Sequence, residues 1–395
     1  MVGIIQEQHP ARARLFMQWQ EMDWPLLVDS LDLLDVGVVP LTILLDEAGM
    51  VVAIQPDKDE FARFLAAPVA VENPAHSFQA QVPDLEKFRQ AARDGAGGPV
   101  RDFADALVMW GGDAALAEAV AAYGDVLALD PQDGRAHFRL GVTYRKRHDS
   151  GSRRSGDFSR AVAAWGRALE IDPNQYIWRR RIQQYGPRLS KPYPFYGWVA
   201  EARRQIVSRG EVPVMLPVEP AGAELAGPAR TFTAGAAQGA EPDPEGRIAR
   251  DDQGFIRVEQ TLVPARVAPG EVVRIHLELR PDPARNAHWN NEAEDLTLWI
   301  QVPDGWKSDK VSIRVPSPRA ATSEESRRVE FELQLPASFA GEAVVPAYAL
   351  YNVCEGVDGT CLYRRLDIPI QIRADRQPSP GTFRRGAQVP PPPAR

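Results

Sequence analysis

Cys354 and Cys361 are the only two cysteines in a chain of 395 residues, and they lie seven positions apart. Gly356 and Gly359 between them allow a tight turn, so the flanking apolar runs can form a hairpin in which the two sulfur atoms meet. Three states fit this spacing: a structural disulfide, two unpaired buried thiols, or a redox-active pair. Only the redox-active pair would carry chemistry, in which a thiolate attacks a disulfide.

The sequence predicts no metal or other cofactor. Zinc-binding thiolates usually lie about two to four residues apart with further Cys or His nearby, whereas the six histidines here are scattered. The formal net charge is −7, and the absence of a long basic run argues against nucleic acid as a partner. No apolar stretch approaches the ~20 residues that a membrane-spanning helix needs, so we predict no transmembrane segment.

A second candidate site is Val39–Pro40, immediately before an apolar run at residues 41–45. A proline at the start of a strand removes one ladder donor, and in the cis form it turns the preceding backbone toward a neighbouring site. A trans proline that only initiates the strand is the alternative. Around this pair, residues 1–68 follow the order strand, helix, short strand, strand, strand, helix, which predicts an α/β unit. A tight turn at residues 46–49 predicts an antiparallel hairpin of the runs 41–45 and 50–54, and Asp57 with Glu60 three residues later predicts a helix start.

Residues 1–68 resemble the thioredoxin-like superfamily in its redoxin branch, which includes the alkyl hydroperoxide reductase/thiol-specific antioxidant proteins and the TlpA-like thiol:disulfide oxidoreductases. The resemblance is carried by residues 2–5, 24–29, 38–42 and 44–51. It implies thiol:disulfide exchange or peroxide reduction. It also implies a substrate-binding role for Val39 and Pro40, in which Pro40 is cis beside the active-site cysteine and the Val39 backbone meets an extended thiol substrate.

The catalytic cysteine of that family lies before the matched segment, and this chain has no cysteine before Cys354. The family strand that is absent from the match would lie centrally, between the strands at residues 2–6 and 41–45. We therefore expect a partial α/β thioredoxin-like domain that lacks its first strand and active-site helix. Either an upstream part carries the redox cysteines, or the domain is degenerate and non-catalytic.

Residues 102–210 are predicted to form a helical section, and this section contains a repeat. Residues 119–131 and 161–173 share eight of thirteen positions at an offset of 42. Between the copies, residues 137–144 keep the L-G-x-x-Y core of a tetratricopeptide first helix, and a proline ends each copy. This section resembles the tetratricopeptide repeat family, which implies stacked helices and a groove for a protein or peptide partner. The basic run at residues 179–181 is expected on a solvated face.

In residues 255–373, apolar and polar residues alternate with a period of two. Seven short, largely alternating runs separated by Pro, Gly and Asp turns predict a β-sandwich of the immunoglobulin-like class. Its tryptophans, Trp289, Trp299 and Trp306, are expected in the core. Residues 69–101 are expected to form a connector, 211–254 a linker, and 374–395 a disordered Pro-rich tail.

The cysteine segment is similar to the amino-terminal periplasmic domain of the thiol:disulfide interchange protein DsbD, an immunoglobulin-like module with a reactive cysteine pair in a late hairpin. The likeness is carried by Tyr351, Cys354, Cys361 and Tyr363. It implies that Cys354 and Cys361 are a redox-active pair that reacts with a thiol or disulfide partner.

Two functions follow from these patterns. One is a redoxin-family protein with thiol:disulfide oxidoreductase or antioxidant, peroxide-reducing activity, whose catalytic cysteines are absent from this chain apart from the candidate pair. The other is a non-catalytic scaffold that binds partners through the tetratricopeptide groove and the sandwich. A cysteine pair and the likeness to exported redox families favour a periplasmic or extracellular location, although no secretory signal is visible in the chain.

Overall fold

The computed structural model describes residues 1–375 apart from 37–38, 47, 68–82, 191–196, 226, 228–231, 233–239 and 357–358. Most of the predicted Pro-rich tail, residues 376–395, lies outside the described residues. The chain combines α-helices with β-sheets, which confirms the predicted mixed, multi-unit class at that level. None of the helices in the described ranges is long and apolar enough to cross a membrane.

The amino-terminal elements form two separate ladders among the described residues. The elements are β1 (Gly3–Ile5), α1 (Ala11–Trp19), β2 (Leu26–Val28), β3 (Ile43–Leu45), β4 (Val51–Ile54) and α2 (Lys58–Ala66). β1 pairs with β2 in parallel, and β3 pairs with β4 as the predicted antiparallel hairpin. α2 begins after Asp57, where Asp57 and Glu60 form a reciprocal capping box that satisfies free backbone N–H groups.

A helical section follows. Its helices are α3 (Leu85–Asp94), α4 (Gly98–Trp110), α5 (Gly112–Leu129), α6 (Gly134–His148), α7 (Asp157–Ile171), α8 (Tyr176–Gln183) and α9 (Trp198–Ser208). Consecutive helices from α3 to α8 pack on each other, and Trp165 and Trp178 are buried between them as predicted. α9 instead packs on α1, where Leu15 and Ile206 are fully buried in a small separate core.

The segment after α9 is partly anchored. Residues 222–225 form a short 3₁₀ turn, and Glu224 within it is fully buried and paired with Arg12 of α1. Further along, Asp243 is buried and forms an ion pair with Arg365 at 2.8 Å. These contacts tie parts of the segment to both the amino-terminal helix and the sheets.

Two antiparallel sheets enclose the largest core. Their strands are β5 (Ile256–Val263), β6 (Val272–Pro281), β7 (Ala287–Asn290), β8 (Leu296–Ile300), β9 (Lys307–Ser308), β10 (Ser312–Val315), β11 (Thr322–Ser323), β12 (Arg327–Gln334), β13 (Gly341–Glu355) and β14 (Cys361–Ala374). The smaller sheet has the order β5-β6-β12-β9. The larger has the order β10-β8-β13-β7-β11, with β14 also paired to β13. Trp289 and Trp306 are buried in this core, as predicted, whereas Trp299 is buried in a separate cluster with Val311 and Tyr348.

Candidate functional sites

Cys354 and Cys361 form a disulfide, as the hairpin prediction allowed. The two residues face each other at the turn end of the long ladder between β13 and β14. Gly359 lies in the turn, and a side-chain Cβ at this position would come within 1.2 Å of the Glu355 carbonyl oxygen. The turn therefore accepts only glycine at this position, and the backbone approach that joins the two cysteines depends on it.

The two sulfur-bearing residues differ in access. Cys354 is only 3% exposed, whereas Cys361 is exposed on the outer strand. On the other edge of β13, Cys354 is in register with His288 of β7. His288, Cys354 and Cys361 therefore form one row across three strands. Because residues in register point to the same face of a sheet, the imidazole and the disulfide share a face. An incoming thiolate would meet Cys361 first, and a thiolate released at Cys354 would lie beside an imidazole.

Tyr351 and Tyr363 lie on opposite faces of this hairpin. Tyr351 is fully buried in the core against Trp289, and its hydroxyl donates to Asp251 at 2.7 Å. Burial and the negative charge of Asp251 raise the pKa of Tyr351 far above its usual value. Tyr363 shares the face of the disulfide and is partly exposed. Tyr363 is therefore the tyrosine that a redox partner could contact at the disulfide.

The Val39–Pro40 peptide bond is cis, as predicted, and both residues are exposed. The Pro40 carbonyl accepts a hydrogen bond from Gln55 Nε2 at 2.7 Å, which joins the approach to β3 with the end of β4. The structure does not bring this pair to a thiol, because the chain's only two cysteines form the bridge between β13 and β14.

The strands near Pro40 expose apolar side chains on both faces. β3 and β4 each pair on one edge only among the described residues, and so do β1 and β2. The exposed apolar residues include Val2, Ile4, Leu27, Val28, Ile43, Leu45, Val51, Val52 and Ile54. Strands that are apolar on both faces are typical of sheets that are covered on both sides.

A third site lies where the helical section meets the smaller sheet. A cavity of ≈ 50 Å³ is lined there by titratable residues that include Arg12, Arg145, His148, Tyr185, His276 and Glu278. His276 Nε2 lies 2.7 Å from the Tyr185 carbonyl oxygen, and Arg153 donates to Glu278 at 2.6 Å and 2.8 Å. The Tyr185 ring stacks on Trp165. The outer face of the smaller sheet is therefore covered by charged and aromatic groups of the helices.

Burial controls the protonation of this junction. Burial, only partly opposed by the hydrogen bond to Glu278, lowers the pKa of His148. Burial alone would raise the pKa of Glu278, but the hydrogen bonds from His148 and Arg153 hold it well below its usual range. The site thus holds a neutral imidazole beside a carboxylate at neutral pH. These residues were not predicted as a site, since the alternating Arg274-Ile275-His276-Leu277-Glu278 pattern is typical of a strand with one solvated face.

A fourth site is a face formed by α4, α6 and α8, which we name the arginine face. It is defined by Asp105, Arg135, Arg139, Trp178 and Arg181. Residues 29–35, which follow β2, lie against it. This stretch, Asp-Ser-Leu-Asp-Leu-Leu-Asp, is named the acidic segment.

The expectation that the basic run 179–181 is solvated is wrong for Arg181, which is 1% exposed. Its guanidinium donates to Gln8 Oε1 at 2.6 Å and to the Ser30 carbonyl at 3.2 Å. Burial lowers the pKa of Arg181, although the nearby carboxylate of Glu7 opposes this shift. A run of basic residues does not reveal which of them faces inward, because that depends on the segment packed against it.

No family model and no curated protein matches this chain. Among solved structures, Spo0M, a sporulation control protein from Bacillus subtilis, is 17% identical over 31% of this chain and 50% of its own, with a TM-score of 0.19. AvmM, which catalyses macrocyclization in alchivemycin A biosynthesis, is 13% identical over 33% of this chain and 97% of its own, with a TM-score of 0.20. WR4, a C. elegans MSP family member, is 10% identical over 31% of this chain and 98% of its own, with a TM-score of 0.17. This chain spans about half the length of Spo0M, and scores of this size carry no argument.

Proposed function

We propose that this chain is part of a thioredoxin-like redox protein with thiol:disulfide oxidoreductase or peroxide-reducing activity. In this proposal the amino-terminal elements are the substrate-side part of the domain, and Val39 and Pro40 contact an extended thiol substrate. The catalytic cysteine belongs to a further polypeptide segment that completes the sheet. The observation that carries the proposal is the pair of separate, apolar ladders β1–β2 and β3–β4.

The edges and the apolar faces of these two ladders support the proposal. β1 and β3 each offer a row of backbone groups to a further strand, and one inserted strand would join the two ladders into a single sheet. The apolar side chains on both faces of β3 and β4 would then be covered by helices, as in sheets of the α/β type. A strand followed by a helix is the arrangement that would place a cysteine near Pro40.

The disulfide supplies a second thiol pair in an immunoglobulin-like sandwich. An external thiolate attacks Cys361 Sγ, forms a mixed disulfide and releases the Cys354 thiolate, and a proton from solvent or from His288 neutralises that thiolate. A second external thiolate then attacks the external sulfur of the mixed disulfide and releases the Cys361 thiolate, which takes a proton from solvent, so that one external disulfide and two protein thiols result. The exposure of Cys361 and the register of His288 support this order of attack. A disulfide also favours a periplasmic or extracellular location.

The experiment has two arms. The coding region that precedes codon 1 is read, and any longer product is tested for dithiol-dependent disulfide reduction and hydroperoxide consumption, with Pro40→Ala as the site variant. In the second arm, the chain with residues 1–395 is equilibrated in glutathione and dithiothreitol buffers. A bridge that opens above about −300 mV supports a redox role for Cys354 and Cys361. A bridge that opens only below that potential, together with an inactive or cysteine-free longer product, would refute the proposal.

A second candidate function is a scaffold that binds a peptide through tetratricopeptide-like helices. The observation that favours it is the arginine face, where Arg139 and Arg181 donate to three successive backbone carbonyls, those of residues 30–32. Backbone carbonyls are what any bound peptide offers whatever its sequence. Binding of an added peptide to this face, weakened two- to fivefold by Arg135→Ala, would support this function.

A further inference from the structure

We propose that the arginine face is a binding site for acidic, leucine-containing peptides in a turn conformation, and that the acidic segment occupies it in cis. An external peptide of the same chemistry would then compete with residues 29–35. This inference rests on the second candidate function, peptide binding by the helical section. It adds the class of ligand and the identity of the present occupant.

The face holds the segment by its backbone. Arg139 Nε donates to the Leu31 carbonyl at 3.0 Å, and its Nη1 bonds to Asp105 at 2.6 Å, so the guanidinium is fixed by α4. Arg181 donates to the Ser30 carbonyl at 3.2 Å from α8. Two buried cations on different helices therefore hold successive peptide units of the segment, whose chain turns so that the Asp35 N–H donates to the Asp32 carbonyl at 3.3 Å.

Leucine is the anchor. Leu31 is 1% exposed and belongs to the same buried cluster as Phe138 of α6 and Trp178 of α8. The next leucines, Leu33 and Leu34, are exposed. The face thus has a pocket for one large aliphatic side chain, and the burial of that side chain favours binding.

The face also selects for acidic residues that follow the anchor. Trp178 Nε1 donates to Asp32 Oδ2 at 3.2 Å, and Arg135 forms an exposed ion pair with Asp35. Arg181 Nη2 is buried without a hydrogen-bond partner among the described residues, so one buried donor is left for an acceptor. Positive charge on the face and three carboxylates on the segment are complementary.

The backbone conformation of the bound acidic segment has a free-energy cost. Asp32 and Asp35 have φ values of 55° and 51°, in the left-handed region that residues other than glycine adopt at a cost. The face is therefore expected to exchange ligands once the cis segment is weakened.

The test uses the full chain and a labelled heptapeptide with the sequence of residues 29–35. Fluorescence anisotropy measures its binding to the unsubstituted chain and to Leu31→Ala, which weakens the cis anchor. We expect at least tenfold tighter binding by Leu31→Ala, and a two- to fivefold loss when Arg135→Ala is added. The control peptide carries lysine in place of the anchor leucine and is expected not to bind.

Because Leu31→Ala removes a core side chain, its circular dichroism is compared with that of the unsubstituted chain. Asp35→Asn is the second variant: it removes the charge of an exposed ion pair and keeps a residue that tolerates the left-handed backbone, and we expect a two- to fivefold gain in peptide affinity. Equal binding of the probe and lysine peptides, or no gain in folded Asp35→Asn, would overturn the inference. A displayed random peptide library separates the two claims: selection of non-acidic peptides refutes only the ligand class, and selection of none refutes peptide binding itself.

Discussion

The hydroxyl oxygen of Tyr185 lies 2.8 Å from Nε2 of His9, and both residues are buried. Tyr185 follows α8, and His9 precedes α1, so this hydrogen bond joins parts of the chain 176 positions apart. The Tyr185 carbonyl also accepts from His276 of β6. A single residue therefore connects the amino-terminal elements, the helical section and the smaller sheet.

Tyr185→Phe is expected to lower the free energy of unfolding by about 1–3 kcal/mol, because it leaves a buried His9 nitrogen without its partner. Urea denaturation followed by tryptophan fluorescence measures the change. Tyr176→Phe, at a partly exposed position on α8, is the matched control and should change stability by less than about 0.5 kcal/mol. Equal effects of the two substitutions would contradict a structural role for the Tyr185 hydroxyl.

Acid is expected to destabilise the protein in two stages. Burial and the neighbouring Arg145 hold the pKa of His9 well below its usual value, and burial lowers that of His148. The unfolded chain therefore takes up protons first, and the stability present above about pH 6.5 falls as the pH drops below that value. The lowered pKa of Glu278 adds a second loss below about pH 4.3.

Urea midpoints measured at pH 7.5, 5.5 and 3.5 check both stages. His148→Gln should reduce the first loss, since glutamine does not titrate, and should leave the second in place. The raised pKa of Glu224, about 7, acts in the opposite direction over this range in both proteins, so the decisive quantity is the difference between them. An equal midpoint change between pH 7.5 and 5.5 in the unsubstituted chain and in His148→Gln would contradict a lowered His148 pKa.

Gly141→Ala is expected to destabilise the helical section by about 1–3 kcal/mol. A Cβ at this position of α6 would lie 2.5 Å from the Trp165 ring of α7, so the two helices would have to separate. Gly166→Ala on α7 is the matched control: its Cβ meets no atom within 4 Å, and we expect a gain of about 0.5–1 kcal/mol from helix propensity. Thermal melts of both variants measure the difference. A neutral Gly141→Ala would mean that the helix contact is looser than the structure indicates.

Single cysteine variants should differ in reactivity. Cys354→Ser leaves Cys361 free on the exposed strand, and it should react with a chromogenic disulfide reagent at least tenfold faster than Cys361→Ser, which leaves a buried thiol. Both variants should lose about 2–3 kcal/mol of stability relative to the bridged chain, because a short closed loop is opened in the unfolded state. Similar reaction rates would contradict the difference in access on which the order of attack depends.

Local sequence predicted the features that depend on near neighbours. The hairpin β3–β4, the α2 capping box, the repeated helices and the Cys354–Cys361 bridge all involve residues within a few tens of positions. The junction and the arginine face were not predicted, because they join residues more than 90 positions apart. Arg181 and His276 are polar residues at positions that look solvated until another part of the chain covers them.

The ladder between β13 and β14 has fourteen registered pairs, and the disulfide closes its turn end. Sliding β14 along β13 by two residues would keep every apolar side chain on its own face, so alternation alone does not forbid such a slip. The covalent bond does forbid it. β14 also bridges residues 250 and 267 on its outer side. The cystine therefore fixes the position of β14 along β13. Through β14, it also fixes the two loop residues that bridge to the outer edge of that strand.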